Sequence, residues 1–166
     1  GNCILGIDDR TGAKRTIVPT GFPITTLAIS PDCRKIYALN AHRKTVLVFD
    51  ASTHRWLDSF QMATEQSGTC YNSAGRKLYY TGGWDVTVVG CDKDSMLSAT
   101  HMHAGFAYPC YVAKHNDVYV TDWYNRGVWV IGGLTDTFKR FIYTDRHQPT
   151  YLEYDWRDDK IYCNDN

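Results

Sequence analysis

The segment KIYALN at residues 35–40 recurs three more times along the chain. The further copies are KLYYTG at 77–82, DVYVTD at 117–122 and KIYCND at 160–165. Their tyrosines lie 42, 40 and 43 residues apart. A fixed period of this length is the signature of a tandem repeat, so the sequence predicts about four copies of one structural unit.

Each unit contains further short segments with the composition of β-strands. A second element ends 13 residues after each of the first three tyrosines, at 46–50, 87–92 and 128–132, and ILGID at 4–8 is a fourth copy. One apolar segment precedes each tyrosine and another follows each second element. The segments are β-branched and aromatic, with Gly, Asn, Asp and Ser clusters between them. Four strands per unit, with no helical pattern, predict the blades of a β-propeller.

The two ends of the chain supply complementary parts of one blade. Joined across the termini, Tyr162 to Asp8 spans 12 positions, against 13 in the other units. We therefore expect one all-β domain over residues 1–166, a propeller of four blades of four antiparallel strands, with one blade completed by both termini. The expected blade parts are 1–17, 18–60, 61–100, 101–142 and 143–166. The alternatives are a piece of a six- to eight-bladed propeller and a half-ring completed by a second chain.

The composition excludes several classes of function. Eighteen basic residues balance eighteen acidic ones, without a Lys/Arg block, so we expect no nucleic-acid partner. No apolar stretch approaches the roughly 20 residues of a membrane span, so none is expected. The six cysteines contain no C-x-x-C pair, which argues against zinc fingers and thioredoxin-like motifs. We expect no cofactor, and the compartment is left open, with an extracellular location favoured.

Several segments resemble known propeller repeats. The stretch from 109 to 130, with VYVTDWYNRGVWV at its end, resembles an NHL or YWTD blade, and YDWRDDKIY at 154–162 resembles the approach to a YWTD motif. SPDCRKIY at 30–37 is more similar to a YVTN repeat. The resemblance covers essentially the whole chain. It implies rings of six or seven blades that mostly bind proteins, peptides or glycans, with a minority of lactonases and dehydrogenase subunits.

Aromatic and arginine residues mark a candidate binding face. In a propeller, the loops from the second to the third strand, and those between blades, meet on one face of the ring. In this sequence they include the predicted loops at 82–85, within a blade, and at 101–108, between blades. The candidate ligand-binding residues in these loops are Trp84, Trp123, Tyr124, Arg126 and Arg43. Such side chains are common at binding hot spots. The sequence thus predicts a non-catalytic interaction module for a protein, peptide or glycan; alternatively, the aromatics pack between blades as scaffold.

Three histidines suggest a second interpretation of the function: a metal-binding propeller or a lactonase-like metal-dependent hydrolase. His101 and His103 point the same way from an extended segment, and His147 lies on the same predicted face, so the three are candidate metal ligands. The sequence has no G-x-S-x-G or H-E-x-x-H motif, and the strand starts lack the carboxylates of a lactonase. No catalytic residue is predicted, which favours a protein that is not an enzyme.

Two cysteines are candidates for a disulfide. Cys3 and Cys163 fall on adjoining strands of the blade shared by the termini, where a bridge would fasten the ring. Cys70 and Cys110 occupy equivalent places on neighbouring innermost strands. A third interpretation of the function is a structural role. If the ring is incomplete in one chain, the chain is expected to form part of a larger propeller or a homo-oligomer.

Overall fold

The computed structural model describes residues 2–66 and 68–164. This part of the chain forms fourteen strands and no helix. Nothing in it therefore has the length and apolar character of a membrane-spanning helix. The strands are β1 (Cys3–Ile7), β2 (Lys14–Pro19), β3 (Thr26–Ser30), β4 (Lys35–Asn40), β5 (Thr45–Asp50), β6 (Trp56–Gln61), β7 (Gly68–Asn72), β8 (Lys77–Gly90), β9 (Ser95–Val112), β10 (Asp117–Asp122), β11 (Gly127–Gly132), β12 (Phe138–Tyr143), β13 (Leu152–Asp155) and β14 (Lys160–Cys163).

The repeating unit is clearest in the sheet β3–β4–β5–β6, here called blade I. Each strand pairs antiparallel with the next, so that Tyr37 lies between Ala28 and Val48. The turns are short and end on a residue in the left-handed region, such as Arg34 (φ 53) and Lys44 (φ 54). Such tight turns keep consecutive strands adjacent, which produces a four-stranded meander.

Strand β8 supplies both central strands of the next unit because it doubles back on itself. The backbone N–H of Cys91 donates to the carbonyl of Arg76 over 2.9 Å, which brings the two ends of β8 together. The bend contains Gly83 at φ +57, a conformation that glycine adopts without steric cost. Blade II thus consists of β7, β8 and residues 95–101 of β9.

Strand β9 is long and joins two blades. Its last residues, 108–112, pair with β10, and together with β10, β11 and β12 they form blade III. In the middle, Phe106 is the backbone partner of both Gly83 and Asp122. The expected loops at 82–85 and 101–108 are therefore strand, because the ladder continues from blade II into blade III.

Half-blades lie at both ends of this row of three blades. The N-terminal hairpin, β1–β2, and the C-terminal hairpin, β13–β14, are separate two-stranded sheets. The expected blade completed by both termini is therefore not formed within the described residues, since no pairing joins β1 to β14 there. Each hairpin packs on the blade next to it in sequence. The Cys3–Cys163 bridge is likewise not formed. Both cysteines are free and exposed, and Cys70 and Cys110 are also free.

The hydrophobic core consists of the interfaces between successive sheets. Blades I and II are joined by a cluster with a fully buried centre: Tyr37, Leu39, Val46 and Val48 of blade I with Leu78, Tyr80, Val89 and Cys91 of blade II. Three similar clusters join the N-terminal hairpin to blade I, blade II to blade III, and blade III to the C-terminal hairpin. Burial of apolar surface between blades is thus the main force that holds the row together.

A repeated polar lock reinforces two of these interfaces. Asp94, in the last turn of blade II, accepts hydrogen bonds from Lys35 (2.6 Å) and from the hydroxyl of Tyr37 (2.6 Å) in blade I. One unit later, Lys77 and Tyr79 bind Asp136 in the same way. Burial and the carboxylate raise the pKa of both phenols above their ordinary value, so the hydroxyls remain donors.

A different carboxylate anchors the C-terminal hairpin. Asp159 accepts from Lys114 (2.6 Å) and His115 (3.2 Å) of blade III and from the hydroxyl of Tyr154 (2.9 Å). The hydrogen bonds from Lys114 and Tyr154 are the main reason that the pKa of Asp159 falls to about 2. The charged form is thus the one that ties the hairpin to blade III.

Candidate functional site

Three exposed aromatic side chains meet where blades II and III adjoin. Trp84 comes from the bend of β8, and Trp123 and Tyr124 open the turn after β10. The ring centroids of Trp84 and Tyr124 lie 5.8 Å apart and those of Trp123 and Tyr124 6.2 Å apart, both edge to face. Between 43% and 57% of each residue is exposed. We call these three residues the aromatic cluster.

A buried carboxylate fixes the turn that carries two of these residues. Asp122 is fully buried. It accepts hydrogen bonds from the backbone N–H groups of Gly105 (3.0 Å) and Asn125 (2.9 Å). It also accepts from the Asn125 side chain (2.8 Å) and from the indole N–H of Trp129 (3.0 Å). A buried charge with four donors is satisfied, so Asp122 has a positioning role.

The indole of Trp123 rests on the backbone of Gly105. A Cβ atom at position 105 would lie 2.5 Å from the indole, closer than real contacts allow. The backbone N–H of Trp123 also donates to the carbonyl of Gly105 over 3.1 Å. Glycine at this position of β9 is therefore what lets the indole lie against the strand.

A cavity of about 350 Å³ opens beside Trp123. All of its lining residues are uncharged: Ala107, Tyr108, Trp123, Gln148 and Thr150. Tyr108 packs edge to face on Tyr151, with ring centroids 5.6 Å apart. The cavity thus combines aromatic walls with an amide and a hydroxyl, a composition suited to one apolar group with a polar edge.

The polar side of this cavity is held by the C-terminal hairpin. The side-chain oxygen of Asn164 accepts from the backbone N–H groups of Thr150 (3.1 Å) and Tyr151 (2.8 Å). The hydroxyl of Tyr151 donates to Glu153 over 3.3 Å, and the charge of Glu153 raises the pKa of Tyr151. Tyr151 therefore stays neutral, and the wall that it supports carries no phenolate charge.

The two arginines predicted for this face have different positions. Arg126 is exposed at the end of the turn that carries Trp123 and Tyr124. Arg43 lies in the turn between β4 and β5, where its guanidinium is 5.1 Å from the centroid of the Phe22 ring. Its described contacts are thus within blade I, whereas Arg126 borders the aromatic cluster.

Sequence reasoning missed the tyrosine pair and the polar wall of the cavity. Tyr108 and Gln148 stand at strand starts, for which the sequence indicated only the lack of the carboxylates of a lactonase. An available signal was that an aromatic residue flanks a proline before two successive innermost strands, at Tyr108-Pro109 and Pro149-Thr150-Tyr151. Their approach to Trp123 depends on the packing of blade III against the C-terminal hairpin, which a linear pattern does not contain.

His101 and His147, two of the three candidate metal ligands, have different surroundings in the structure. The Nδ1 atom of His101 lies 2.9 Å from a carboxylate oxygen of Asp85. His147 lines another cavity, near Cys163, and its backbone N–H donates to Thr144. The side chain of His103 lies outside the described residues. Among the side chains that are described, no three His, Cys, Asp or Glu residues form a ligand group, and metal binding stays a prediction.

Solved structures share this arrangement of sheets. A chain of hydrazine synthase from Kuenenia stuttgartiensis is similar with a TM-score of 0.74 and 18% identity, over 84% of this chain and 41% of that one. U3-55K gives 0.70 and 11%, over 90% and 54%. The WD40 repeats of RRP9 give 0.70 and 11%, over 90% and 53%. The chain has the β-propeller fold.

The likeness to these solved structures covers part of their length and concerns their fold. The chain spans about half the length of the solved chains that it matches. At identities of 18% and below, the likeness concerns the fold. No family model matches the sequence, and no curated protein matches it. The neighbours include WD40 propellers, so the β-propeller prediction is confirmed, and the YWTD, NHL or YVTN repeat type is left to the sequence motifs.

Proposed function

We propose that this chain is a protein-interaction module, in which the aromatic cluster and the adjoining cavity hold a peptide segment of a partner protein. The observation that carries the proposal is the contact of Tyr124 with both Trp84 and Trp123 in an exposed position. Aromatic residues that gather on a surface and remain half exposed are typical of binding hot spots. The WD40 neighbours support an interaction role of this general kind.

The chemistry of the site favours an uncharged peptide. The cavity holds about 350 Å³, enough for one large side chain, and none of its lining residues is charged. Gln148 and Thr150 place an amide and a hydroxyl at the wall, and the Thr150 hydroxyl is hydrogen-bonded to the Asn164 side chain, so the wall is polar but uncharged. We infer that an apolar or aromatic anchor enters the cavity while flanking residues cover the aromatic cluster.

The prediction is that Trp123→Ala removes peptide binding without loss of stability. Phage-displayed peptides selected on the chain would serve as probes, and fluorescence anisotropy would measure their affinity. Because Trp123 walls the cavity, we expect at least a tenfold rise in Kd, about 1.4 kcal/mol or more. The melting temperature should change little, since the side chain is half exposed.

The control is Trp56→Ala, which removes an equally large exposed indole from β6, outside the aromatic cluster. It should leave the affinity unchanged. Equal losses in the Trp56 and Trp123 variants, or unaltered binding in the Trp123 variant, would contradict the proposal. Selection of glycans but no peptides from parallel libraries would replace a peptide by a carbohydrate as the ligand.

The uniform packing between successive sheets favours a structural role as a second candidate function. The three sheet interfaces between blades and the C-terminal hairpin are of one kind, which suits continuation into a larger ring. The motifs quoted from the sequence support a YWTD, NHL or YVTN repeat type for these blades. A larger ring and a binding face are compatible, because the ring faces of a propeller remain open when blades are added.

A further inference from the structure

The hydrogen-bonding groups that the aromatic cluster and its cavity leave open are donors. The indole N–H of Trp123 and the hydroxyls of Tyr108 and Tyr124 have no hydrogen-bond partner among residues 2–66 and 68–164. An indole nitrogen can only donate, and each phenol carries one proton to donate. A ligand that covers these groups must therefore supply acceptors, because a donor that is buried without an acceptor weakens binding.

Most acceptors of the cavity wall are already engaged. The carbonyl of Ala107 accepts from the hydroxyl of Thr81 over 2.5 Å. The hydroxyl of Thr150 donates to the Asn164 side chain over 3.2 Å and accepts from it over 3.1 Å. Gln148 contributes one amide, which combines donor and acceptor. The balance of the open groups at the site is thus toward donors.

A ligand backbone without N–H groups matches this excess of donors. An ordinary peptide segment brings one N–H for every carbonyl, and each N–H that is buried in the site needs an acceptor. Proline keeps its carbonyl and has no backbone N–H. Proline-rich segments also adopt the polyproline II helix, which has no internal hydrogen bonds, so its carbonyls are available to accept.

The spacing of the aromatic rings agrees with this helix. The ring centroids of Trp84 and Tyr124 lie 5.8 Å apart, and those of Tyr124 and Trp123 lie 6.2 Å apart. Polyproline II rises about 3.1 Å per residue, so each step from ring to ring corresponds to about two residues. Proline-rich segments bind in grooves lined by aromatic side chains. The cavity of about 350 Å³ has room for one proline and the apolar residue before it.

A positive charge lies beside the row of rings. Arg126 is exposed at the end of the turn that carries Trp123 and Tyr124, and its guanidinium has no ion-pair partner in the described part of the chain. A carboxylate on the ligand would complement this charge. A charge at one end of a polyproline II helix also distinguishes the two directions in which the helix can lie along the rings.

We propose that the partner segment is a polyproline II helix, a proline-rich stretch of about six residues with an acidic residue at one end. This inference rests on the proposed peptide binding at the aromatic cluster and names the class of peptide. One proline enters the cavity between Trp123 and Tyr108. Carbonyls of the segment accept from the Tyr108 hydroxyl and the Trp123 indole, and the carboxylate pairs with Arg126.

The probes for this proposal are two fluorescently labelled synthetic peptides, EPPLPPLP and PPLPPLPE, which carry the acidic residue at opposite ends. Fluorescence anisotropy should give a Kd on the order of 100 μM or tighter for at least one of them. The matched peptides EAALAALA and AALAALAE keep the leucines and the charge but restore the backbone N–H groups. We expect them to bind at least tenfold more weakly.

Variants of the chain test the individual contacts. Tyr108→Phe removes the hydroxyl but keeps the ring against Tyr151, and should weaken binding of the proline probe about two- to tenfold. Arg126→Gln should weaken it about two- to fivefold, and only for probes that contain glutamate. The control is Tyr162→Phe, which removes the hydroxyl of an exposed tyrosine on β14 and should leave the affinity unchanged.

The outcomes distinguish this proposal from the proposed function on which it rests. Suppose that an unbiased phage library yields peptides that require Trp123 but lack proline, and that the proline probes do not bind. The class of peptide would then be overturned, while the proposed function would stand. If neither the probes nor any selected peptide binds, both fail. Proline probes that bind Tyr108→Phe and Trp123→Ala as tightly as the unaltered chain would also overturn the proposal, because they would bind elsewhere.

Discussion

At the scale of single residues, the interfaces between blades combine apolar burial with one polar lock per unit. Tyr37 and Lys35 converge on Asp94, and Tyr79 and Lys77 converge on Asp136. The tyrosine repeat was the first feature visible in the sequence. The aspartate that binds each tyrosine could not be recognised in the sequence, because it lies 57 residues further on, in the last turn of the following blade. A contact between units becomes predictable only when the packing of neighbouring blades is known.

We predict that Asp94→Ala lowers the free energy of unfolding by about 1–3 kcal/mol, because it leaves the ammonium of Lys35 and the hydroxyl of Tyr37 without their carboxylate partner. Urea unfolding followed by circular dichroism would measure the change. Asp92→Ala, two residues away, removes an exposed ion pair with Arg76 and should cost less than about 1 kcal/mol. Equal losses in the two variants would show that the lock contributes no more than a surface charge.

At the scale of strands, the sequence predicted the elements better than their connections. The segments predicted at 35–40, 46–50 and 117–122 lie in strands, as their β-branched and aromatic composition indicated. The joins at 82–85 and 101–108 were expected to be loops because of their place in the repeat, between the second and third strands of one blade and between two blades. They are strand, since Phe106 pairs with Gly83 on one side and Asp122 on the other. Tertiary pairing overrides local propensity at these positions.

The continuity of β9 leads to a prediction about Gly105. A methyl group at this position would overlap the indole of Trp123, so Gly105→Ala should displace the indole and weaken peptide binding although every aromatic residue remains. We expect a stability loss of about 1–3 kcal/mol from the overlap. Thermal unfolding and peptide titration of the variant would measure both effects.

Gly75→Ala is the appropriate control for this variant. At position 75 the added Cβ would meet the side chain of Lys77 at 3.3 Å, a contact that a shift of a few tenths of an ångström relieves. We expect little change in affinity or melting temperature. Peptide binding by the Gly105 variant equal to that of the unaltered chain would mean that the indole position does not control the site.

At the scale of the whole molecule, the period of the sequence predicted the fold class but not how the ring closes. Matching phase at the two termini suggested closure within one chain, yet β1 and β14 lie in separate sheets. The phase argument holds equally for closure between two copies, so periodicity alone could not decide between them. The placement of β1 and β14 in two separate sheets is what the structure adds.

The residues predicted for a binding face come together only in part, for a similar reason. Trp84, Trp123 and Tyr124 were recognised because turns after the second strand share one face, and the structure brings these three together. Arg43, predicted on the same ground, belongs to blade I and contacts Phe22. The position of a turn in the repeat predicts only which face of the ring a residue lies on. A cluster of contacting residues, however, occupies one junction between two blades on that face.

The most direct measurement of the proposed function uses the five tryptophans of the chain, each of which gives one indole N–H signal in a two-dimensional NMR spectrum. Titration with a selected peptide should shift the signals of Trp84 and Trp123, while those of Trp56 and Trp156, exposed elsewhere, should stay in place. Shifts confined to Trp56 or Trp156, with Trp84 and Trp123 unmoved by a peptide that binds, would contradict the assignment of the aromatic cluster as the binding site.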